Sequence, residues 1–347
     1  MRALTYHGPE DIRCERIADP PMLAPTDAMV AVRLAAVCGS DLHVWHGRET
    51  GLDPGTVMGH EFVGEVVEVG PSVEGLRPGM LVVAPFTTSC GACFFCRSGL
   101  SARCEAGELF GWVERGRGLH GGQGEFVRVP LAASTLVEVP PDLSPPAALL
   151  LGDVLATGHH AARLAEVGPG RTAAVIGCGP VGLMAVLAAR ELGADAVFAI
   201  DAIPERLDFA ARLGAVPVRL GPEAAGEIAA ATAGRGADGV LECVGSSAAA
   251  ELAYRVVRTG GTIAAVGVHH EPAFPWSPGQ AYDRNLTYRA GRCPARSYLP
   301  DLIPVARRHQ TTLGELFTHR VPLEQGADAY RLFASRSEGC LKVALTP

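Results

Sequence analysis

Val175-Ile176-Gly177-Cys178-Gly179-Pro180-Val181-Gly182 is the stretch that decides the fold. An apolar strand over 173–176 runs into three glycines spaced G-x-G-x-x-G, and an alanine-rich helical stretch over 182–192 follows. The first glycine permits a tight turn, the second lets backbone approach a pyrophosphate, and the third lets helix and strand pack closely. The helix opened by Pro180 and Val181 then directs its positive end at the phosphates. A second strand, 196–200, delivers Asp201 about twenty residues beyond the glycines, as a dinucleotide fingerprint requires. That carboxylate can accept hydrogen bonds from both ribose hydroxyls and repels a 2′-phosphate, which favours NAD over NADP. Arg206, a little further on, softens the preference if it reaches the ribose and otherwise covers the adenine or a solvated helix face.

Reading outward, a helix over 204–213, a strand over 239–244, a helix over 248–258 and a strand over 262–266 continue the alternation. Strands separated by helical crossovers imply a parallel sheet, here within 154–290. The texture of 1–153 differs. Short β-type runs at 28–34, 62–69, 80–84 and 125–129 are broken by prolines and glycines, which predicts an irregular, mostly antiparallel β domain. The final segment, 291–347, returns to strand-like text at 342–345 and is expected to rejoin that first domain.

Composition agrees with two globular domains: 347 residues, 48% hydrophobic and 19% charged, exclude a disordered or collagenous chain. A formal net charge of -7 gives no electrostatic reason to bind nucleic acid or an anionic membrane. The most apolar stretch, 173–200, is interrupted by Arg190, Glu191 and Asp195 and reads as strand, turn and helix rather than a membrane span. Met1 to Gly8 shows no apolar signal region, so a cytoplasmic location is expected. Of the 30 basic residues, Lys342 alone is lysine, for which coding or thermal bias is a sufficient account.

Ten cysteines in a chain with that expected location point to metal or free thiols rather than disulfides. Cys90, Cys93, Cys96 and Cys104 place four thiols on one glycine-containing loop, a spacing that closes a thiolate tetrahedron around Zn²⁺. Such a closed site has no open position and is structural, stapling a lobe near 90–104; an iron–sulfur cluster is the alternative occupant. Elsewhere Cys38, His60, Glu61 and Asp153 supply a thiol, an imidazole and two carboxylates, which singly say little.

Taken in order along the chain, these motifs resemble the zinc-containing alcohol dehydrogenases of the medium-chain dehydrogenase/reductase family. The resemblance implies an α/β chain: a GroES-like, mostly β catalytic domain and a Rossmann domain with a doubly wound parallel sheet. It implies that Cys38, His60 and Asp153 bind a catalytic zinc, with Glu61 as fourth or exchanging ligand, and that Asp41 orients His60. Zinc with one exchangeable position lowers the pKa of a bound alcohol as it does that of water, and the deprotonated alcohol is the better hydride donor. Ser40 and His43 match the family's proton relay, serine taking the proton and histidine passing it outward. By the same resemblance Thr157, Val181, Val244, Gly267 and Val268 lie against the nicotinamide end of NAD, and Lys342 contacts its pyrophosphate. Where some members carry a basic residue after the zinc cysteine, this chain has Gly39, and one phosphate contact is lost.

The expected reaction is reversible hydride transfer between an alcohol and NAD, with one catalytic and one structural zinc. Phe86 matches a ring that lines the alcohol channel of the family, and Trp45 and Trp112 are further candidate walls, with ordinary core packing the equal alternative for each. Acidic Asp153 and the Cys38–His43 segment also resemble those of bacterial formaldehyde-type and polyol or threonine dehydrogenases, which stay open as alternatives. Two rivals are a zinc-independent quinone or enoyl reductase, which needs neither metal site, and a non-catalytic NAD-binding protein. The resemblance also implies a homo-oligomer, a tetramer before a dimer, because the chain is similar to the shorter members of that family.

Overall fold

The computed structural model describes residues 1–347, and the chain divides into two compact units, Met1–Ala156 with Pro294–Pro347, and Thr157–Cys293. The second unit holds a six-stranded parallel sheet in the order Val216–Arg219, Ala196–Asp201, Thr172–Ile176, Ala237–Glu242, Val257–Ala265, Thr287–Ala290. In chain order this is third, second, first, fourth, fifth, sixth, the doubly wound arrangement whose direction reverses beside the first strand. Alternate strand residues Ala174, Ile176, Phe198, Ile200, Val240 and Ile263 face one helical layer and are buried there.

Proline and short polar residues set where the helices begin. Pro180–Glu191 and Pro204–Arg212 each start with proline, whose missing N–H is unneeded in a first turn. Ser246 caps Ser247–Val256 by accepting from the Ala249 N–H at 3.2 Å. That helix stops at Val256, and Val257 and Arg258, expected to be helical, already belong to the next strand. The β-branched pair Val256-Val257 ahead of a Gly-rich run favours the change.

The first unit is built on a seven-stranded mixed sheet. Its path runs Val137–Glu138, Leu81–Val83, Phe62–Val69, Ala28–Ala36, Lys342–Thr346, Phe317–Pro322, with Phe126–Val129 also paired to Ala28–Ala36. Val30, Val32, Phe62, Val66, Val82, Val127, Val343 and Leu345 fill its core. The closing segment thus lies in mid-sheet: Lys342–Thr346 pairs antiparallel with Ala28–Ala36 and parallel with Phe317–Pro322. A smaller sheet of Asp11–Arg16, Arg2–Gly8 and Thr56–Val57 and a hairpin of Trp112–Glu114 with Arg117–Leu119 complete the unit. No helix is long and apolar enough to cross a membrane.

Candidate active site and cofactor loop

Strand pairing in the first unit assembles the metal donors. Ala35 pairs with Phe62, so the residues after one strand, Cys38, and before the other, His60 and Glu61, emerge at the same end of the sheet. Asp153 arrives from the end of the helix Pro145–Leu151, where Gly152 comes so close to Ala84 that an added Cβ would lie 2.2 Å from its carbonyl oxygen. The donor atoms of Cys38, His60, Glu61 and Asp153 all fall within 4.8 Å of one another. Asp153 Oδ2 lies 3.2 Å from Cys38 Sγ and 3.3 Å from His60 Nε2. Ser40 Oγ lies 3.4 Å from the sulfur and 3.3 Å from the same imidazole nitrogen.

This donor set fits zinc. A thiol, an imidazole and two carboxylates are borderline-soft to hard ligands in the combination that zinc accepts. Their electrostatics point the same way. Burial, with Asp153 and Glu61 nearby, pushes the Cys38 thiol up to about 11. Burial also pushes the Glu61 carboxyl up to about 7 against the pull of Lys342, while His60 and Cys38 hold Asp153 well below the usual carboxylate range despite its burial. Lys342 offsets the charge of Glu61, but ionising the Cys38 thiol beside the Asp153 carboxylate as well is costly in so dry a cluster unless a metal ion binds there. Asp41 stands behind His60 as expected, its Oδ1 3.3 Å from Nδ1, and its other oxygen accepts from the Cys38 N–H at 2.9 Å. His43 is half-buried on the same short helix, Asp41–Trp45.

Lys342 departs from its expected role. It is completely buried, with Nζ 2.6 Å from Glu61 Oε2 and 2.9 Å from Oε1, and it also donates to the Val37 carbonyl. The ammonium is committed to a carboxylate of the donor cluster rather than presented to a phosphate. Sequence reading missed this pair because the partners are far apart in the chain and meet only when Lys342–Thr346 enters the sheet. Phe86 stands edge-on to the His60 ring, centroids 6.5 Å apart, at the metal cluster. Trp45 packs in the core against Tyr330, centroids 5.5 Å apart. Trp112 lines an open surface pocket with Glu108, Leu109, Glu114, Arg115 and Arg117.

The four lobe cysteines also bring their sulfurs within 4.8 Å of one another. Backbone N–H groups of Cys90, Cys93 and Cys96 point at the sulfurs of Cys104, Cys90 and Cys93, at 3.2, 3.3 and 3.5 Å. Those N–H groups favour thiolates: the Cys93 thiol falls to about 6 beside the Cys96 and Glu105 N–H groups, whereas burial and neighbouring Cys93 lift Cys96 to about 12. Four thiols alone cannot all ionise at such spacing, and a divalent ion removes the conflict.

In the second unit the glycine loop follows Thr172–Ile176. Gly177 has φ +83°, and a Cβ on Gly182 would lie 1.8 Å from the Gly177 carbonyl oxygen, so the third glycine is demanded by backbone contact. Asp201 accepts from the Cys178 N–H at 2.7 Å and from the Ile203 N–H at 2.9 Å, tying its strand end to the loop. Arg206 is largely buried rather than on a solvated face, with Nη1 3.6 Å from Asp201 Oδ2. Val244 and Val268 present exposed apolar side chains at two strand ends, beside Gly267; Val181 is half-buried and Thr157 buried. Glu242, which sequence reading did not single out, is fully buried and shapes this rim. Its Oε1 accepts from the Val244 and Gly245 N–H groups at 2.7 and 2.8 Å, and Oε2 lies 2.9 Å from His269 Nε2.

Comparison with known proteins decides the family. The alcohol dehydrogenase GroES-like domain matches residues 24–141 and the zinc-binding dehydrogenase domain matches 180–306. Zinc-type alcohol dehydrogenase B of Aspergillus flavus is 41% identical over 96% of this chain and 78% of its own. The chain belongs to the zinc-binding alcohol dehydrogenases. It is a zinc-dependent oxidoreductase of the medium-chain type. Among solved structures, the alcohol dehydrogenase of Thermus sp. ATN1 superposes with TM-score 0.93 at 39% identity, covering 100% of this chain and 99% of that one. An alcohol dehydrogenase from E. coli CFT073, determined with NADH, superposes with TM-score 0.84 at 26% identity, covering 100% and 99%.

Proposed function

We propose that this dehydrogenase oxidises a small primary or secondary alcohol, and reduces the matching aldehyde or ketone, with NAD as the hydride partner. The carrying observation is the buried convergence of Cys38, His60, Glu61 and Asp153 with the Ser40 hydroxyl directly beside them. Cys38, His60 and Asp153 would hold the catalytic zinc, with Glu61 as fourth or exchanging ligand, and Cys90, Cys93, Cys96 and Cys104 would hold a structural zinc. When bound, the catalytic zinc supplies Lewis acidity at the oxygen of the alcohol. Ser40 accepts the proton from that oxygen, and His43 carries it outward. Phe86 offers an apolar wall to the carbon chain.

For the cofactor, the Gly177, Gly179, Pro180, Val181 and Gly182 turn cradles pyrophosphate at a helix N-terminus. Asp201 receives the ribose hydroxyls, with Arg206 beside it, and Thr157, Val244, Gly267 and Val268 take the nicotinamide end. The NADH-bound relative supports NAD. Keeping four lobe thiols reduced suits the cytoplasm. The exposed edge strand Thr287–Ala290, with Tyr282, Tyr288 and Phe274 exposed near it in the same unit, supports assembly into dimers and a homotetramer through that sheet edge.

A panel of alcohols, aldehydes and polyols with NAD and NADP at alkaline pH, with metal quantified in parallel, tests this reading. The expected result is turnover, a lower KM for NAD and two zinc ions per chain. Turnover with none of the panel would leave a nucleotide-binding protein, and a lower KM for NADP would reverse the cofactor assignment.

A further inference from the structure

Behind Asp41 the hydrogen bonds do not stop. Gln123, fully buried, donates through Nε2 to Asp41 Oδ2 at 3.3 Å and to the Ala36 carbonyl at 3.0 Å. Its Oε1 accepts from the hydroxyl of Tyr330, also fully buried, at 2.8 Å. The order of donors is forced by chemistry. A carboxylate offers only acceptors, so the amide nitrogen faces Asp41; the amide oxygen then faces Tyr330, whose hydroxyl has to donate. Donation therefore runs from Tyr330 through Gln123 to the Asp41 carboxylate, which on its other side accepts from Nδ1–H of a metal-binding imidazole.

Packing holds the line in place. Gly59, next to His60, lies so close to Gln123 that an added Cβ would be 2.3 Å from Cγ. The Tyr330 ring stands against Trp45, which shares the short helix of Asp41. Gln123 anchors its own backbone to Leu4 and Met58, so the amide cannot drift from the cluster. Tyr330 belongs to the helix Gly326–Ser335 of the closing segment.

We propose that Gln123 and Tyr330 are positioning residues for the catalytic metal: through Asp41 they hold His60 in the Nδ1–H tautomer, with its Nε2 lone pair aimed at the ion. This rests on the metal site proposed above. Outer partners of ligating histidines are worth tenfold or more in metal affinity, and here the outer partner is itself held by two further residues.

Tyr330→Phe removes one oxygen and keeps the ring packing; Gln123→Ala removes the link outright. Each full-length variant, stripped of metal, is titrated with cobalt(II) and followed by visible absorption, in which a one-thiolate site and a four-thiolate site give separate charge-transfer bands. Tyr330→Phe is expected to weaken binding at the one-thiolate site about tenfold and Gln123→Ala by more, with the four-thiolate titration and the melting temperature of Tyr330→Phe unchanged. Unaltered one-thiolate affinity in Tyr330→Phe, or equal weakening at both sites, would overturn the proposal. A parent protein with no one-thiolate band at all would instead overturn the metal-site reading, and the inference with it.

Discussion

His43 shows how the chemistry of one residue is separated from that of its neighbours. It shares a helix with Asp41 and is absent from the donor cluster. His43→Ala should therefore leave zinc content intact and slow turnover by up to about a hundredfold, mainly at low pH where proton export limits the rate. Equal loss across a pH profile would remove it from the relay. His160 carries a different pH signature. Burial, and then His159, depress its pKa to about 4, below the usual 6.5. The unfolded chain thus binds the proton more readily, so this contribution to stability is present above about pH 6.5 and lost as pH falls toward 4. Denaturant midpoints should decline over that window, and His160→Gln should flatten the decline. Cys38 and His60 were legible as candidates because their residue types are those of metal ligands. Gln123, Tyr330 and Glu242 were not, because an amide, a phenol and a strand-end carboxylate have no distinctive local pattern, and their roles depend on partners brought close by folding.

Among elements, the strand, glycine turn and helix around 172–191 were readable because every requirement is local: an apolar run, three glycines, a proline at the helix start. Gly182 makes that testable. Gly182→Ala puts a methyl group into the Gly177 carbonyl, and the turn has to open. Overpacking of this kind costs roughly 2 kcal/mol, equivalent to about thirtyfold in cofactor affinity, while zinc content should not change. Fluorescence titration with NADH would measure it, and unaltered affinity would show that the loop can relax elsewhere. The helix Ala295–Arg308 was hidden by Pro300 and Pro304, each of which lacks an N–H to continue a helix. It forms nonetheless because Leu299, Leu302 and Ala306 are buried on one face. Tertiary packing there overrides local preference.

At the scale of the molecule, the change of texture from broken β runs to strand–helix alternation located both units, and the return of the final segment was visible in its last strand. What could not be read was how centrally that strand would lie. The two thiol-bearing clusters also set a charge balance for the whole protein: with the Cys38 thiol raised to about 11 and the Cys96 thiol to about 12, loading zinc at neutral pH has to expel protons. Affinity should rise with pH, about tenfold per unit for each proton released. Calorimetric titration of metal-free protein in buffers of different ionisation enthalpy should report at least one proton per ion; zero would mean the thiols are already ionised. Lys342–Thr346, wedged between Ala28–Ala36 and Phe317–Pro322, imposes an order of assembly as well. The nucleotide-type unit is one continuous stretch, Thr157–Cys293, and can mature on the ribosome. The unit begun first must wait with a gap in its largest sheet, and with Glu61 lacking its counter-ion, until Lys342–Thr346 has been translated.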